Sequence, residues 1–299
     1  MSTWTETHRG LVFPWNCDNY GHMNVRFYWD HFDDSAFQTW SAIGSLSQML
    51  HESGIHAVTG RNTIEYLSEM PAGTLFVITA AITRMGNRSV TFTHRMHNSE
   101  TGELCATMTG TEVIFDPNTR RSTDIPPGVR ARINELIIDT KDDPHPPATQ
   151  SEGAPVSGRW HDTHRSLVFP WRCDHFGHMN ARWYAHHFDD GGFHLYSMAG
   201  VDVADLHARN IALVTVQSDL RYVQEMVAGT LFVVRSGFSH VGTKSTKHFH
   251  RLFNVANNEL CATMESVDVA FDMETRKAVP FSGNVRTSLL DNMIDPTLD

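Results

Sequence analysis

The sequence predicts an α+β protein made of two copies of one domain, each a long amphipathic helix followed by a run of antiparallel strands. Three observations carry that prediction. Residue numbers raised by 156 land on a counterpart, without a gap, from His8 (His164) to Arg120 (Arg276), and nearly half of those positions are identical. A repeat of this length is a duplicated domain rather than a solenoid. Within each copy one segment spaces its apolar residues as a helix does, and the later segments are rich in β-formers and divided by turn signals. One helix followed by strands is the pattern of a helix packed on a sheet.

The elements follow in order. A short extended segment at 8–14 leads into the string Cys17-Asp18-Asn19-Tyr20-Gly21-His22-Met23-Asn24, which returns as Cys173-Asp174-His175-Phe176-Gly177-His178-Met179-Asn180. A long helix spans about 24–44, with Phe27, Tyr28, Phe32, Phe37, Trp40 and Ile43 at roughly helical spacing. Asn24 suits its N-cap and Gly44 its C′ position. A second, short helical piece falls at about 47–54. Strands follow near 55–69, 73–85, 89–98 and 103–116, with Met85-Gly86-Asn87-Arg88 and Ser99-Glu100-Thr101-Gly102 as hairpin turns. The domains are expected at 1–122 and 161–280. A Pro-rich connector (123–160), with a short helix near 130–138, joins them, and a tail without strong pattern covers 281–299.

Composition narrows the function. The chain has 299 residues, 40% of them hydrophobic, enough for two buried cores. Its formal charge of −10 argues against nucleic acid or an anionic membrane surface as partner, and a polyanionic substrate would need a local basic patch. No apolar run is long enough to cross a bilayer, and the first residues lack the pattern of a signal peptide, so a cytoplasmic protein is expected. Cys17, Cys105, Cys173 and Cys261 form two equivalent pairs without CxxC spacing, which reads as reduced thiols.

The duplicated string carries the chemistry. An Asp, a tight Gly, then His and Asn at the mouth of a long helix place a carboxylate beside backbone N–H groups able to hold an oxyanion. The N–H groups around Met23–Val25 and Met179–Ala181 are the expected donors. Asp-x-x-Gly-His-x-Asn-x-x-x-Tyr before a long helix and an antiparallel sheet resembles the hotdog-fold thioesterases. These include the 4-hydroxybenzoyl-CoA thioesterase-like enzymes and the plant-type acyl-ACP thioesterases. The resemblance spans about 8–120 and 164–276 and implies a tandem hotdog whose two units pair edge to edge, with sites at their interface. It also implies hydrolysis of an acyl-CoA or acyl-carrier-protein thioester. The family's catalytic Asp falls on Asp18 and Asp174, its His on His22 and His178, and its helix-start polar residue on Asn24 and Asn180. A strand Glu of the acyl-ACP enzymes matches Glu65. The second copy has Arg221 there, so the two sites would differ.

Thioester hydrolysis needs a carboxylate, a positioned water and an oxyanion hole, so neither a cofactor nor a metal is expected beyond the coenzyme A of the substrate. Pairs such as Asp18 with His22, or His187 with Asp190, are within the chance expectation of a chain with 19 histidines. Cys17 and Cys173 are alternative nucleophiles, with lining or core roles favoured. Tyr28 and Tyr184 are candidates for the acyl pocket. Arg84, Arg88, Lys244 and Lys247, around equivalent hairpins, are candidates for carrier phosphates. Two rival functions share the fold, an enoyl-thioester hydratase or dehydratase and a non-catalytic acyl-CoA-binding protein. A homo-oligomer of double units is a further possibility.

Overall fold

The computed structural model describes residues 4–138 and 160–296. The chain divides into two compact units, Met1–Pro146 and Pro147–Asp299. The first holds strands β1 (Thr5–Leu11), β2 (His56–Tyr66), β3 (Leu75–Met85), β4 (Ser89–Asn98), β5 (Leu104–Asp116) and β6 (Arg121–Ser122). Its helices are α1 (Val25–Ala42), α2 (Leu46–Glu52) and α3 (Pro127–Leu136). Strands run in the order β1-β3-β4-β5-β2, every pair antiparallel, with β6 beside β5. The second unit repeats this with β7 (His161–Leu167), α4 (Ala181–Met198), α5 (Val203–Ala208), β8 (Ile211–Tyr222), β9 (Leu231–Val241), β10 (Ser245–Asn254), β11 (Leu260–Asp272), β12 (Lys277–Ala278) and α6 (Gly283–Leu290). Its order is β7-β9-β10-β11-β8, with β12 beside β11.

The long helices sit where the periodicity predicts. Asn24 Oδ1 accepts from Arg26 N–H at 3.0 Å and caps α1, and Asn180 does the same for Arg182 N–H at the start of α4. Gly44 follows α1 with φ of +71°, and a Cβ there would lie 2.5 Å from Leu136 Cδ1. Glycine is needed there both for the turn and for the close approach of α3. That helix lies in the stretch read as connector. Its Val129 and Ile133 are buried with Ile43, Leu46, Leu50, Ile82 and Phe92 in one apolar cluster. The equivalent α6 lies in the stretch read as tail and buries Leu289 beside Tyr196, Phe238 and Phe281. The first of these is the short helix expected near 130–138, whereas α6 escaped the sequence reading because it is short and presents only a few apolar residues. The remaining prolines of the connector (Pro144, Pro146, Pro147, Pro155) lie outside the described residues.

The interiors of the two units differ. Alternate residues of β4 face inward as Val90, Phe92, His94 and Met96, whereas β10 presents Thr246, His248, His250 and Leu252. In the second unit these polar groups join a buried chain. Asp268 is held below the ordinary carboxylate range. Burial pushes it up, and the His248 ring with hydrogen bonds from His248, Thr215 and Tyr196 outweighs that. An ionised carboxylate only accepts, which sets the direction of every bond made to it. His248 Nε2–H donates to Asp268 (3.0 Å), His248 Nδ1 shares a proton with His250 Nε2 (2.6 Å), and His250 Nδ1 hydrogen-bonds with Ser236 Oγ (2.6 Å). Tyr196 OH and Thr215 Oγ1 also donate to Asp268, at 2.9 and 2.8 Å. In the first unit Ala80, Val90, Phe92 and Trp40 occupy the places of Ser236, Thr246, His248 and Tyr196.

Candidate active site

The duplicated string forms a tight loop at the end of the sheet where β3 begins. A 3₁₀ turn at Pro14–Asn16 precedes it, and Asn24 N–H donates back to Asn16 O at 2.9 Å. Inside the loop Asp18 N–H donates to His22 O (2.9 Å) and Gly21 N–H to Asp18 O (3.1 Å). Gly21 takes φ of +84°, a conformation costly for any residue with a Cβ. Asp18 Oδ1 accepts from Tyr20 N–H at 2.8 Å and His22 N–H at 3.3 Å. The carboxylate is thereby fixed through one oxygen. The second copy is built alike: Asp174 Oδ1 accepts from Phe176 N–H and His178 N–H at 2.8 and 3.2 Å, and Gly177 has φ of +85°.

Each His has a carboxylate partner that the sequence reading passed over. His22 Nε2 lies 3.3 Å from Glu69 Oε2, and His178 Nε2 lies 3.4 Å from Glu225 Oε2. Glu69 comes from the β2–β3 loop, which is drawn to the Asp loop by Met23 N–H donating to Met70 O (2.8 Å). A carboxylate accepts only, so the His22 proton belongs on Nε2 and Nδ1 is left as an acceptor. The signal was in the repeat: Glu69-Met70 matches Glu225-Met226, whereas Glu65 is replaced by Arg221. Glu65 does not join this cluster within its own unit. Its neighbours Ile64 and Tyr66 face α1, Ile64 fully buried and Tyr66 with its ring edge-on to Tyr28, so Glu65 points to the opposite face. There it accepts from Thr107 Oγ1.

Tyr28 and Tyr184 lie behind the loops. Both are buried, each ring edge-on to a strand tyrosine, Tyr66 or Tyr222. Burial pushes the Tyr28 hydroxyl far above the ordinary range. Cys105, Tyr66 and then the negative charges of Glu69 and Asp18 add to the shift. Tyr184 is shifted the same way, by burial first and with Glu225 and Asp174 contributing. Each is a permanent O–H donor beside the site. Burial, with Asp18 next door, raises the Cys17 thiol, which opposes a thiolate there.

One expectation needs correction. Met23 and Asn24 cannot serve as oxyanion donors, because their N–H groups are already given to Met70 O and Asn16 O. Met179 and Asn180 are likewise committed, to Met226 O and Arg172 O. Among the described residues the N–H groups of Val25 and Ala181, at the first position of each helix, have no acceptor. They are the donors left to an oxyanion. The basic side chains stand at the hairpins, as expected. Arg84 and Arg88 lie at the other end of β3, about 30 Å along the strand from Leu75. Arg88 donates to Asp124, Lys247 pairs with Glu265, and Lys244 donates to Ala278 O. Lys244 and Lys247 occupy the corresponding hairpin end of the second unit. Within its own unit neither pair reaches the Asp loop.

A helix N-terminus, an anchored carboxylate and a His–Glu pair can together activate water and hold developing negative charge on oxygen. The family model described as the thioesterase-like superfamily matches residues 12–133 and again 168–289, so each match runs into α3 or α6. A protein described as an oleoyl thioesterase from Lactobacillus plantarum is 16% identical, over 90% of this chain and 97% of its own, with a TM-score of 0.69. An acyl-ACP thioesterase from Bacteroides thetaiotaomicron is 15% identical, covering 87% and 96%, with a TM-score of 0.64. The 12:0-ACP thioesterase from Umbellularia californica is 13% identical, covering 88% and 96%, with a TM-score of 0.65. No curated protein matches the chain in sequence. These likenesses show a fold of two tandem hotdog domains.

Proposed function

The chain belongs to the thioesterase-like superfamily, and we propose that it hydrolyses an acyl thioester carried by coenzyme A or acyl-carrier protein, with Asp18 or Asp174 as general base. The observation that carries this reading is the loop built twice from the same parts: Asp held through Oδ1, His paired with Glu, and one uncommitted N–H at a helix start. The named activities of the three similar structures support an acyl group as the part transferred. No helix among the described residues is long and apolar enough to cross a membrane.

The steps follow from these groups. The thioester oxygen faces the Val25 N–H, where the positive end of α1 favours negative charge. Water attacks the carbonyl carbon as Asp18 takes its proton, and the oxyanion forms at that N–H. Collapse breaks the C–S bond, and the thiolate leaves with the proton held by Asp18. His22, oriented by Glu69, accepts from the attacking water or the acid product through Nδ1. Tyr28 closes the floor of the site with a neutral hydroxyl. The second unit runs the same steps with Asp174, Ala181, His178, Glu225 and Tyr184.

Thiol release from a panel of acyl-CoAs and acyl-carrier proteins tests this. Asp18→Asn with Asp174→Asn should lower kcat by at least about 100-fold, as loss of a proton-transfer group does. The single variants apportion the work between units. Undiminished turnover in the double variant refutes the role of Asp. A change in enoyl absorbance without thiol release would establish a hydratase instead.

A further inference from the structure

Each unit holds a second cluster that thioester hydrolysis leaves unused. In the first, His8 of β1 meets His31 and Asp34 of α1, and one ligand atom from each lies within 4.8 Å of the others. His8 Nε2 and His31 Nδ1 are 3.2 Å apart. His31 and Asp34 stand one turn apart and so share a helix face. In the second unit His164, His187 and Asp190 form the same triad, with His164 Nε2 and His187 Nδ1 3.0 Å apart.

We propose that His8, His31 and Asp34 bind one divalent first-row transition cation that clips β1 to α1, and that Arg172 closes the equivalent place in the second unit. Two imidazoles and a carboxylate form a donor set that suits zinc, cobalt or nickel. With metal–nitrogen bonds of about 2.1 Å, two neighbouring nitrogen ligands stand roughly 3.0–3.4 Å apart, which both pairs meet. What separates the units is the proton. A metal on Nδ1 requires the ring proton on Nε2. In the second unit Arg172 Nη1 lies 2.8 Å from His187 Nε2. A guanidinium only donates, so this Nε2 is a bare acceptor. The His187 proton is therefore on Nδ1, where it donates to His164 Nε2 and excludes a cation. Arg172 is held in place over the rings of Phe169 and Trp183, 5.5 and 5.2 Å from their centres, and its charge repels a cation as well. In the first unit the counterpart is Asn16, whose Oδ1 accepts from Phe13 N–H. With a neutral Asn16 in place of the guanidinium, the His31 proton can sit on Nε2 and Nδ1 can ligate.

The proposal is independent of the thioesterase reading, and its readout is not activity. Full-length protein stripped with chelator is titrated with Co2+, followed by d–d absorbance, and with Zn2+ by calorimetry. One equivalent should bind, and Zn2+ should raise the melting temperature. His8→Gln with His31→Gln should weaken binding by more than about 100-fold, beyond the effect of losing a supporting group. The isosteric Asp34→Asn should weaken it by at least about tenfold without disturbing the helix. Arg172→Asn should raise the stoichiometry to two. Binding that survives in the His double variant, or no binding by wild type at millimolar Co2+, overturns the site. Two equivalents on wild type, or still one on Arg172→Asn, overturns the role of Arg172.

Discussion

His22 with Glu69 is the pair whose removal separates positioning from proton transfer. Glu69 touches neither the carbonyl nor the water in the proposed reaction; it holds a ring. Glu69→Gln with Glu225→Gln should therefore cut kcat by about ten- to a hundredfold, less than loss of a proton-transfer group itself costs. KM should stay within about twofold. Aspartate at both places, which keeps the charge on a shorter stem, should restore part of the loss; equal defects in the Gln and Asp pairs would remove the orienting role. A second residue-scale contrast concerns charge inside the first unit. Burial, with the charge of Asp33 adding, pushes Glu112 from 4.5 up to about 7, against a lowering hydrogen bond from Thr59, while burial pushes His94 from 6.5 down to about 4. The signs oppose. Folded Glu112 binds its proton more tightly than the unfolded chain does, so its stabilisation is lost as pH rises from about 4.5 through 7. Buried neutral His94 is destabilising as pH falls from 6.5 toward 4. Each carries at most about 3 kcal/mol, and Glu112 less, since its side chain is partly open to water. Melting temperatures across pH 4.5–7 should be nearly flat for the first unit. Glu112→Gln should tilt them upward with pH and His94→Gln downward; unchanged slopes would contradict both assignments. At this scale the repeat made Asp18, His22 and Asn24 readable, because polar identities kept twice stand out. Glu69 was equally kept. Glu65 drew attention through resemblance instead, and the period-2 alternation of β2 turns it away from the helix.

Among elements, β4 and β10 occupy the same place in the sheet order and bury different chemistry. Asp268 anchors a chain in which His248, Tyr196 and Thr215 all donate to one carboxylate. Asparagine there supplies one acceptor and adds donors to a site already full of them. Asp268→Asn should therefore destabilise the second unit by about 3–5 kcal/mol, as breaking a buried ionic partnership does. Glu112→Gln, the same change of charge at the matched position, should cost little or nothing near pH 7, because a raised carboxyl is readily replaced by its neutral mimic. A two-transition melt, with only the second unit lowered by Asp268→Asn, is the expected calorimetric result; equal effects at the two positions would sink the contrast. The strands and long helices were legible from period and turn chemistry, and their observed bounds differ from those expected by a few residues. The helix α3 was legible near 130–138 but α6 was not, since an eight-residue segment is held only by docking on a core formed elsewhere. The histidines of β10 were also opaque. An alternating row containing His and Thr reads as solvent-facing unless the partner carboxylate, 20 residues away in sequence, is known to be opposite.

At the scale of the whole chain, charge decides how a substrate arrives. The protein carries −10, and both proposed carriers are anionic. Sequence reading looked for a basic patch to overcome this, at Arg84, Arg88, Lys244 and Lys247. Within each unit these lie at the hairpin end away from the Asp loop, and three of the four are engaged by Asp124, Glu265 or a backbone carbonyl. With these four side chains away from the loop of their own unit, the overall field should oppose the approach of coenzyme A. Screening weakens that opposition: the Debye length falls from about 30 Å at 0.01 M salt to about 8 Å at 0.15 M. KM for an acyl-CoA should accordingly fall severalfold over that range, while KM for the matching acyl-pantetheine, which lacks the phosphates, stays nearly constant. Because kcat reports chemistry inside an anchored loop, it should change little for either substrate. The opposite slope, with KM for acyl-CoA rising with salt, would mean that attractive contacts to the phosphates outweigh the net charge. The same titration on Arg84→Ala/Arg88→Ala and Lys244→Ala/Lys247→Ala would then locate them. A neutral slope for both substrates would mean that the carrier's phosphates lie beyond the reach of the protein's field in the productive complex.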